Sequence, residues 1–462
     1  MTLSEDLVGW AWGLEAADLP AAVRRTIARH VLDGVGTTIG ALRTGAAPFA
    51  AEVARRLGGP PVATLLGSDE RVGPGPAALA SGTNMHALDF DDTHAGALIH
   101  GTATVLPTAL AVGEEVGASD DELLSSLAAG YEVVLRIGAA VPHGFHARGF
   151  HASSVCGVFG AALVASRLRG ASARTAVNAL GIAGSQAAGS LEFLATGSAT
   201  KQLHLGWASF SGIVASDFAI AGADGPVSIL EGDAGLFRSY TGRPGDPEAV
   251  LSGLGSWFEL EQITIKPDPV CQLSHAALDA ARELDAPVPP GRIERIEVAL
   301  PEDSVDIVGE PVAEKARPRT AYEAKFSLPW CLALLLHGEE IAVDTFAPDV
   351  LAREDLAALA AKVVIEPFDP GMAAASAPSR LRVVADDGSV HEASVPGSRG
   401  TPERPLDDAA LEAKYHRNVG GDRQLATELA DRIRLLAEVG ERSSTPLYEA
   451  VAELADGAAK EN

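Results

Sequence analysis

The sequence predicts a mainly α protein with a smaller α+β domain, on three observations. Apolar residues recur three and four apart through most of the first 260 or so positions, short β-like runs are confined to a stretch beginning near Ile263, and helical periodicity returns near the C-terminus. The helical stretches are rich in Ala and Gly, while aromatic residues make up only 5% of the chain. Helix axes can therefore approach closely, and a compact bundle is expected.

Taken in order, the helical periodicity covers residues 21–42, 104–116, 122–141, 155–168 and 201–221. Ser119-Asp-Asp-Glu122 supplies a cap followed by first-turn acids, and Gly170-Ala-Ser172 separates two helices. The β-like runs follow at residues 263–266, 292–300 and 362–366, and then a hairpin over 380–395 turns at Asp386-Asp-Gly388. Helices return at 407–417 and 423–439, which lets the C-terminus pack back on the first domain. The expected division is 1–262 with 400–462 as a helical domain and 263–399 as the α+β domain.

A formal charge of −26, from 36 basic and 62 acidic residues, repels phosphate backbones and anionic lipid headgroups. Nucleic acid and membrane partners are not expected. An anionic small molecule remains compatible, because a few cations in a low-dielectric pocket overrule the global field. The N-terminus lacks the basic region and apolar stretch of a signal peptide, and the cytoplasm is the expected location. Three well-separated cysteines, Cys156, Cys271 and Cys331, indicate neither a disulfide framework nor a four-cysteine zinc site.

Six of the twelve histidines fall between residues 86 and 151, interleaved with an acidic run. In His86-Ala-Leu-Asp89-Phe-Asp91-Asp92-Thr93-His94, three carboxylates within four residues repel one another, which raises at least one pKa unless cations or hydrogen bonds compensate. That suits acid–base chemistry. Read more plainly, the same run is a loop whose Asp and Thr cap the helix beginning near Thr102. Metal binding is a third reading, but no recognised ligand spacing is present and none is expected.

His143-Gly-Phe-His146-Ala-Arg-Gly-Phe-His151-Ala-Ser153-Ser154 sets three imidazoles, an arginine and two hydroxyls just before an apolar helix. At least one functional imidazole is expected there, and the serines with their backbone amides offer a carboxylate site. Lys201 is the first of only seven lysines and opens a helix in Thr196-Gly-Ser-Ala-Thr-Lys201-Gln-Leu-His204. A cation at a helix N-terminus needs a compensating anion. A substrate carboxylate is the functional candidate, solvent exposure or a pair with Glu192 the plain one. Lys266-Pro-Asp-Pro-Val-Cys271-Gln-Leu-Ser-His275 stands at the expected domain junction, where clefts form.

These strings resemble the MmgE/PrpD family, which includes 2-methylcitrate dehydratases, cis-aconitate decarboxylases and iminodisuccinate epimerases. The matching residues are Asp33-Gly-Val-Gly-Thr-Thr-Ile-Gly40, the run from His86 to His94, residues 197–208, residues 265–275 and Lys325-Phe-Ser-Leu-Pro-Trp330. The resemblance implies a large all-helical domain built from both chain ends, a smaller α+β lid domain, a homodimer, and a cofactor-free site between the domains. Carried over by motif, the catalytic residues would be Asp89, Thr93, His100, His151, Lys201 and His275, with Lys266 a neighbouring carboxylate binder; Ser153, read from its helix start, and Trp330, at the place of a family tyrosine, are also expected toward the substrate. Two departures stand out: His100 is followed by Gly-Thr where relatives often show Pro-Ser, and Trp330 replaces an active-site tyrosine.

The reactions of such a family share one demand, negative charge held on carbon α to a carboxylate while a proton moves. The expected division of labour has Lys201, Lys266 and a charged His100 or His275 clamping carboxylates. His151 and Asp89 exchange protons, and Thr93 orients Asp89 or the substrate. Dehydration of a hydroxylated di- or tricarboxylate is expected first, epimerisation second and decarboxylation third. A binder of acidic metabolites is the alternative outside enzymes.

Overall fold

The computed structural model describes residues 1–439, 443 and 445–460. Its contacts divide the chain into two compact units, one formed by Met1–Phe193, Thr200–Ile263 and Asp407–Asn462, the other by Leu194–Ala199 and Thr264–Leu406. The fold is mainly helical, and the first unit is built from both chain ends.

In the first unit the helices Ala21–Thr44, Thr102–Val116, Asp120–Ala139, Ala152–Leu168, Lys201–Ile220, Asp408–Val419 and Arg423–Leu435 end within about four residues of the sequence expectation. Caps explain some of these ends. Ser119 accepts the Glu122 N–H while the Glu122 side chain returns to the Ser119 N–H, satisfying two orphan donors of Asp120–Ala139. The helix Ala152–Leu168 is buried from Ala152 through Ser166 and forms the centre, with Asp120–Ala139 and Lys201–Ile220 packed against it.

The helix Pro74–Ala87 is not anticipated by periodicity. Nearly every residue along it is buried, so no polar stripe marks its outer face. It crosses Lys201–Ile220 at Gly82 and Gly206, where a Cβ on Gly206 would lie 2.2 Å from the Leu79 carbonyl oxygen and 2.3 Å from Thr83 Oγ1. Backbone cannot yield that distance, so Gly206→Ala should separate the two helices and cost about 1–3 kcal/mol or more. A several-degree fall in Tm is the expected result. An unchanged Tm would contradict the close crossing.

From the C-terminal helix Asp408–Val419, Lys414 pairs with Asp33 of Ala21–Thr44, and its Nζ donates to the Phe90 carbonyl at 3.0 Å. The same ammonium stands 3.8 Å from the centre of the Phe90 ring. Burial raises the Asp33 pKa and the Lys414 charge opposes that shift. One buried cation thus ties the Asp33 string and the loop after His86 to the far end of the chain.

The second unit holds a four-stranded sheet in the order Val363–Phe368, Ile293–Pro301, Ser379–Ala385, Val390–Val395. The first pair is parallel and the others are antiparallel. A parallel pair needs a long crossover, and the segment between its strands supplies it, including the helices Leu328–Leu336 and Glu354–Ala360. The hairpin turns where expected, with Gly388 at φ +80° and the Asp387 carboxylate accepting the Ser389 N–H. Leu381 and Val383 from the sheet join Trp330 and Leu332 in its core. No helix among the described residues is long and apolar enough to cross a membrane.

Candidate active site

The acidic run begins where Pro74–Ala87 stops. Leu88 caps the helix, and Asp89 adopts φ +52°, a left-handed conformation that glycine or asparagine usually takes at this place. Such strain persists only where the surroundings hold it, and it points to a task for the carboxylate. Asp89 forms a buried ion pair with Lys201, the first residue of Lys201–Ile220. An anion that compensates this misplaced lysine is therefore already present in the protein, as the Asp89 carboxylate.

The three aspartates take separate partners. Asp91 Oδ2 lies 2.8 Å from His86 Nδ1 and 3.6 Å from His100 Nδ1. Asp92 accepts from the Thr102 backbone N–H at 3.3 Å and from the Thr102 hydroxyl, and lies 2.8 Å from His30 Nδ1. For Asp92 the plain reading holds: it satisfies the start of Thr102–Val116. The crowding of carboxylates is relieved residue by residue, by an ammonium, an imidazole and a helix start.

His100 is held from two sides. Its backbone N–H donates to Ser153 Oγ at 3.0 Å, and its Nδ1 lies 2.7 Å from the Asp92 carbonyl oxygen and 3.2 Å from Thr93 Oγ1. A carbonyl only accepts, so Nδ1 carries a proton, and whenever the ring is neutral its lone pair is on Nε2. Ser153 in this structure positions His100, and Thr93 faces the same imidazole instead of Asp89. Leu98, two residues earlier, is also at positive φ, which makes this loop a second strained segment.

His151 opens Ala152–Leu168 and stands among other imidazoles. Its ring centre is 5.6 Å from His86, 5.9 Å from His100 and 5.2 Å from His204, and its Nδ1 is 3.1 Å from His204 Nδ1. Burial first, then the Lys201 charge, pushes the His151 pKa well below 6.5. The same two causes lower His204 to about 4. Burial first, then the charges of His143 and Lys201, lowers His146 to about 4. His143 and Arg148 are exposed.

Asp89, Thr93, His100, His151 and Lys201 are thus gathered in the first unit. His86 and His204 join them, although the motifs alone did not single them out. His204 follows Lys201 by three residues on one helix, a spacing that places both on one face. Nitrogens of His86, His100 and His151, all buried, lie within 4.8 Å of one another, so this trio could hold a metal ion.

Lys266, His275 and Trp330 belong to the second unit. Lys266 is buried. His275 has Nδ1 3.3 Å from the Gln272 carbonyl oxygen and Nε2 3.1 Å from that of Asp268, and the neutral ring donates its single N–H to one of these two carbonyls of the loop that precedes its helix. Burial lowers its pKa. Trp330 is completely buried in the core of its unit, and its indole N–H has no hydrogen-bond partner among the described residues.

Depressed histidine pKa values make a stability prediction. The folded chain resists protons that the unfolded chain takes up below about pH 6.5, so this contribution is fully present above that pH. It is lost as pH falls from about 6.5 toward about 4. Each such histidine contributes a slope of up to roughly 1.4 kcal/mol per pH unit. Urea unfolding between pH 7 and 5 should show falling stability with net proton uptake; a flat profile would contradict the buried neutral imidazoles.

A helical unit that gathers a carboxylate, an ammonium and several buried imidazoles has the groups that acid–base chemistry requires. Residues 5–248 match the MmgE/PrpD N-terminal domain and residues 269–440 the MmgE/PrpD C-terminal domain. The chain belongs to the MmgE/PrpD family. It is 27% identical over 458 residues to a cis-aconitate decarboxylase of Aspergillus terreus, covering 93% of this chain and 92% of the relative. Cis-aconitate decarboxylases of Mus musculus and Homo sapiens are 28% and 27% identical, covering 90% of this chain in both cases and 86% and 88% of the relatives.

Proposed function

We propose that the chain is a lyase acting on the carbon next to a carboxylate, with no cofactor, and that the first-unit cluster carries its proton transfers. The observation that carries this reading is the buried Asp89–Lys201 pair whose ammonium acts on His151, a ring 5.9 Å from that of His100. Lys201 supplies positive charge for the electrons left on the α-carbon and its carboxylate. The neutral imidazoles accept or return protons. A bound carboxylate raises the pKa of the imidazoles it faces, so binding itself prepares them to carry a proton.

Decarboxylation of an unsaturated tricarboxylate is the first form of this proposal, supported by relatives named for that reaction on cis-aconitate. The carbon–carbon bond breaks, carbon dioxide leaves, the electron pair rests on the carbon that carried it, and an imidazole of the His100–His151 pair, protonated from solvent once the substrate anion is bound, delivers the proton that replaces carbon dioxide. The names of these relatives move decarboxylation, third in the sequence expectation, to first place. Dehydration of a hydroxylated di- or tricarboxylate is the second form. It needs separate carriers for the α-proton and the leaving hydroxyl, and the two imidazoles beside a carboxylate suit it. Epimerisation of a dicarboxylate, which needs the same α-proton exchange without net loss, comes third.

Lys266 stays in the proposal as a carboxylate binder on the resemblance alone. His275 is assigned to holding its own loop, because both its nitrogens face carbonyl oxygens. A homodimer is also proposed; the exposed stripe of Leu203, Trp207 and Phe218 on Lys201–Ile220 gives an apolar face for a second copy. Incubation with cis-aconitate, citrate, methylcitrate, iminodisuccinate and simpler 2-hydroxy diacids, followed by carbon dioxide release and proton NMR, tests the reaction. Silence with every acid would favour a binder of acidic metabolites.

A further inference from the structure

We propose that His86, His100 and His151 form a binding site for a divalent transition ion of the zinc class, and that an ion bound there blocks the acid–base chemistry of the same rings. The blocking half rests on the function proposed above; the binding half stands on geometry alone.

The three rings come from three different elements. His86 lies near the end of Pro74–Ala87, His100 in the strained loop after the acidic run, and His151 at the start of Ala152–Leu168. Their centres are 4.7 Å apart for His86 and His100, 5.6 Å for His86 and His151, and 5.9 Å for His100 and His151. One nitrogen from each lies within 4.8 Å of the other two. Zinc binds imidazole nitrogen at about 2.0–2.1 Å, which sets tetrahedral ligands about 3.3 Å apart, so closure needs these nitrogens to approach by up to roughly 1.5 Å through ring rotation.

The surroundings resemble the outer shell of a metal site. Metal-bound imidazoles almost always engage their second nitrogen with a carboxylate, a carbonyl or another polar group, which fixes tautomer and ring plane. Here Nδ1 of His86 is 2.8 Å from Asp91, Nδ1 of His100 is 2.7 Å from the Asp92 carbonyl oxygen, and Nδ1 of His151 is 3.1 Å from His204. For His100 that fixes the lone pair on Nε2. Asp91 lies near two of the three rings and offsets a cation's charge, while the nearby Lys201 ammonium is paired with Asp89.

An all-imidazole donor set selects zinc, copper, nickel or cobalt over magnesium and calcium, which prefer oxygen. Three protein ligands also leave one coordination position open. The ion would occupy the lone pairs that proton transfer uses, so a ring cannot serve both. Metal and turnover therefore exclude one another.

The test uses the full chain, stripped with chelator, and titrates it with Zn²⁺ by calorimetry and with Co²⁺ by visible absorption. Expected are one ion per chain at micromolar or tighter affinity, tetrahedral cobalt bands, and no response to Mg²⁺. Asp91→Asn should weaken the site about 10- to 100-fold, and His86→Gln at least about 10-fold. Zinc should abolish turnover of whichever carboxylate proves to be the substrate, and chelator should restore it. Absence of zinc binding by the unaltered chain, affinity indifferent to His86→Gln, or turnover unchanged or raised by zinc would each overturn the proposal. Because the titrations need no substrate, finding no lyase activity would defeat the proposed function while leaving this site standing.

Discussion

Lys201→Met should lower turnover roughly 10²- to 10³-fold, the scale of losing one preorganised charge at the reacting centre. The structure adds a second expectation. Lys201 and Asp89 are a buried pair, and removing one partner of such a pair costs about 3–5 kcal/mol, because a carboxylate stays behind in a dry site. The lysine alone therefore confounds folding with catalysis. The double variant Lys201→Met with Asp89→Asn removes both charges and should regain much of the lost stability while remaining inactive. Turnover near that of the unaltered chain in the lysine variant would refute the role given to Lys201. Stability failing to recover in the double variant would refute the pairing.

His151→Asn should lower turnover by roughly 10²- to 10⁴-fold, the usual range for a general acid or base. Ligand affinity should change far less, since the Lys201 charge remains. The asparagine amide can still approach His204, which limits disturbance of the imidazole cluster. Measuring kcat and ligand affinity separately distinguishes a proton carrier from a residue that only shapes the pocket. Loss of affinity with kcat unchanged would make His151 a binding residue.

The long helices were legible because an amphipathic helix writes its buried face into the order of its residues, as in Asp120–Ala139 with its Ser119 cap. Pro74–Ala87 was not, since burial on nearly all sides erases that pattern. The site was legible as chemistry but not as pairing. The crowding of Asp89, Asp91 and Asp92 is plain in one string, yet their partners Lys201, His86, Thr102 and His30 lie as much as 112 positions away. No local rule says which aspartate meets which cation. Ser153 shows the same limit: a hydroxyl at a helix start reads as an anion binder, and here it holds the His100 backbone. For His275 the motif carried the residue over, and only coordinates show both nitrogens facing carbonyl oxygens of the preceding loop.

The most direct test of the account is solvent deuterium at carbon. Each candidate carboxylate would be incubated in deuterium oxide with the unaltered chain and with His151→Asn, and followed by proton NMR. The account predicts deuterium at the carbon next to a carboxylate of at least one acid, in product or recovered substrate, and its near loss in the variant. Equal incorporation by both proteins would contradict the role of His151. No incorporation into any acid that the protein binds would contradict proton transfer at this site altogether.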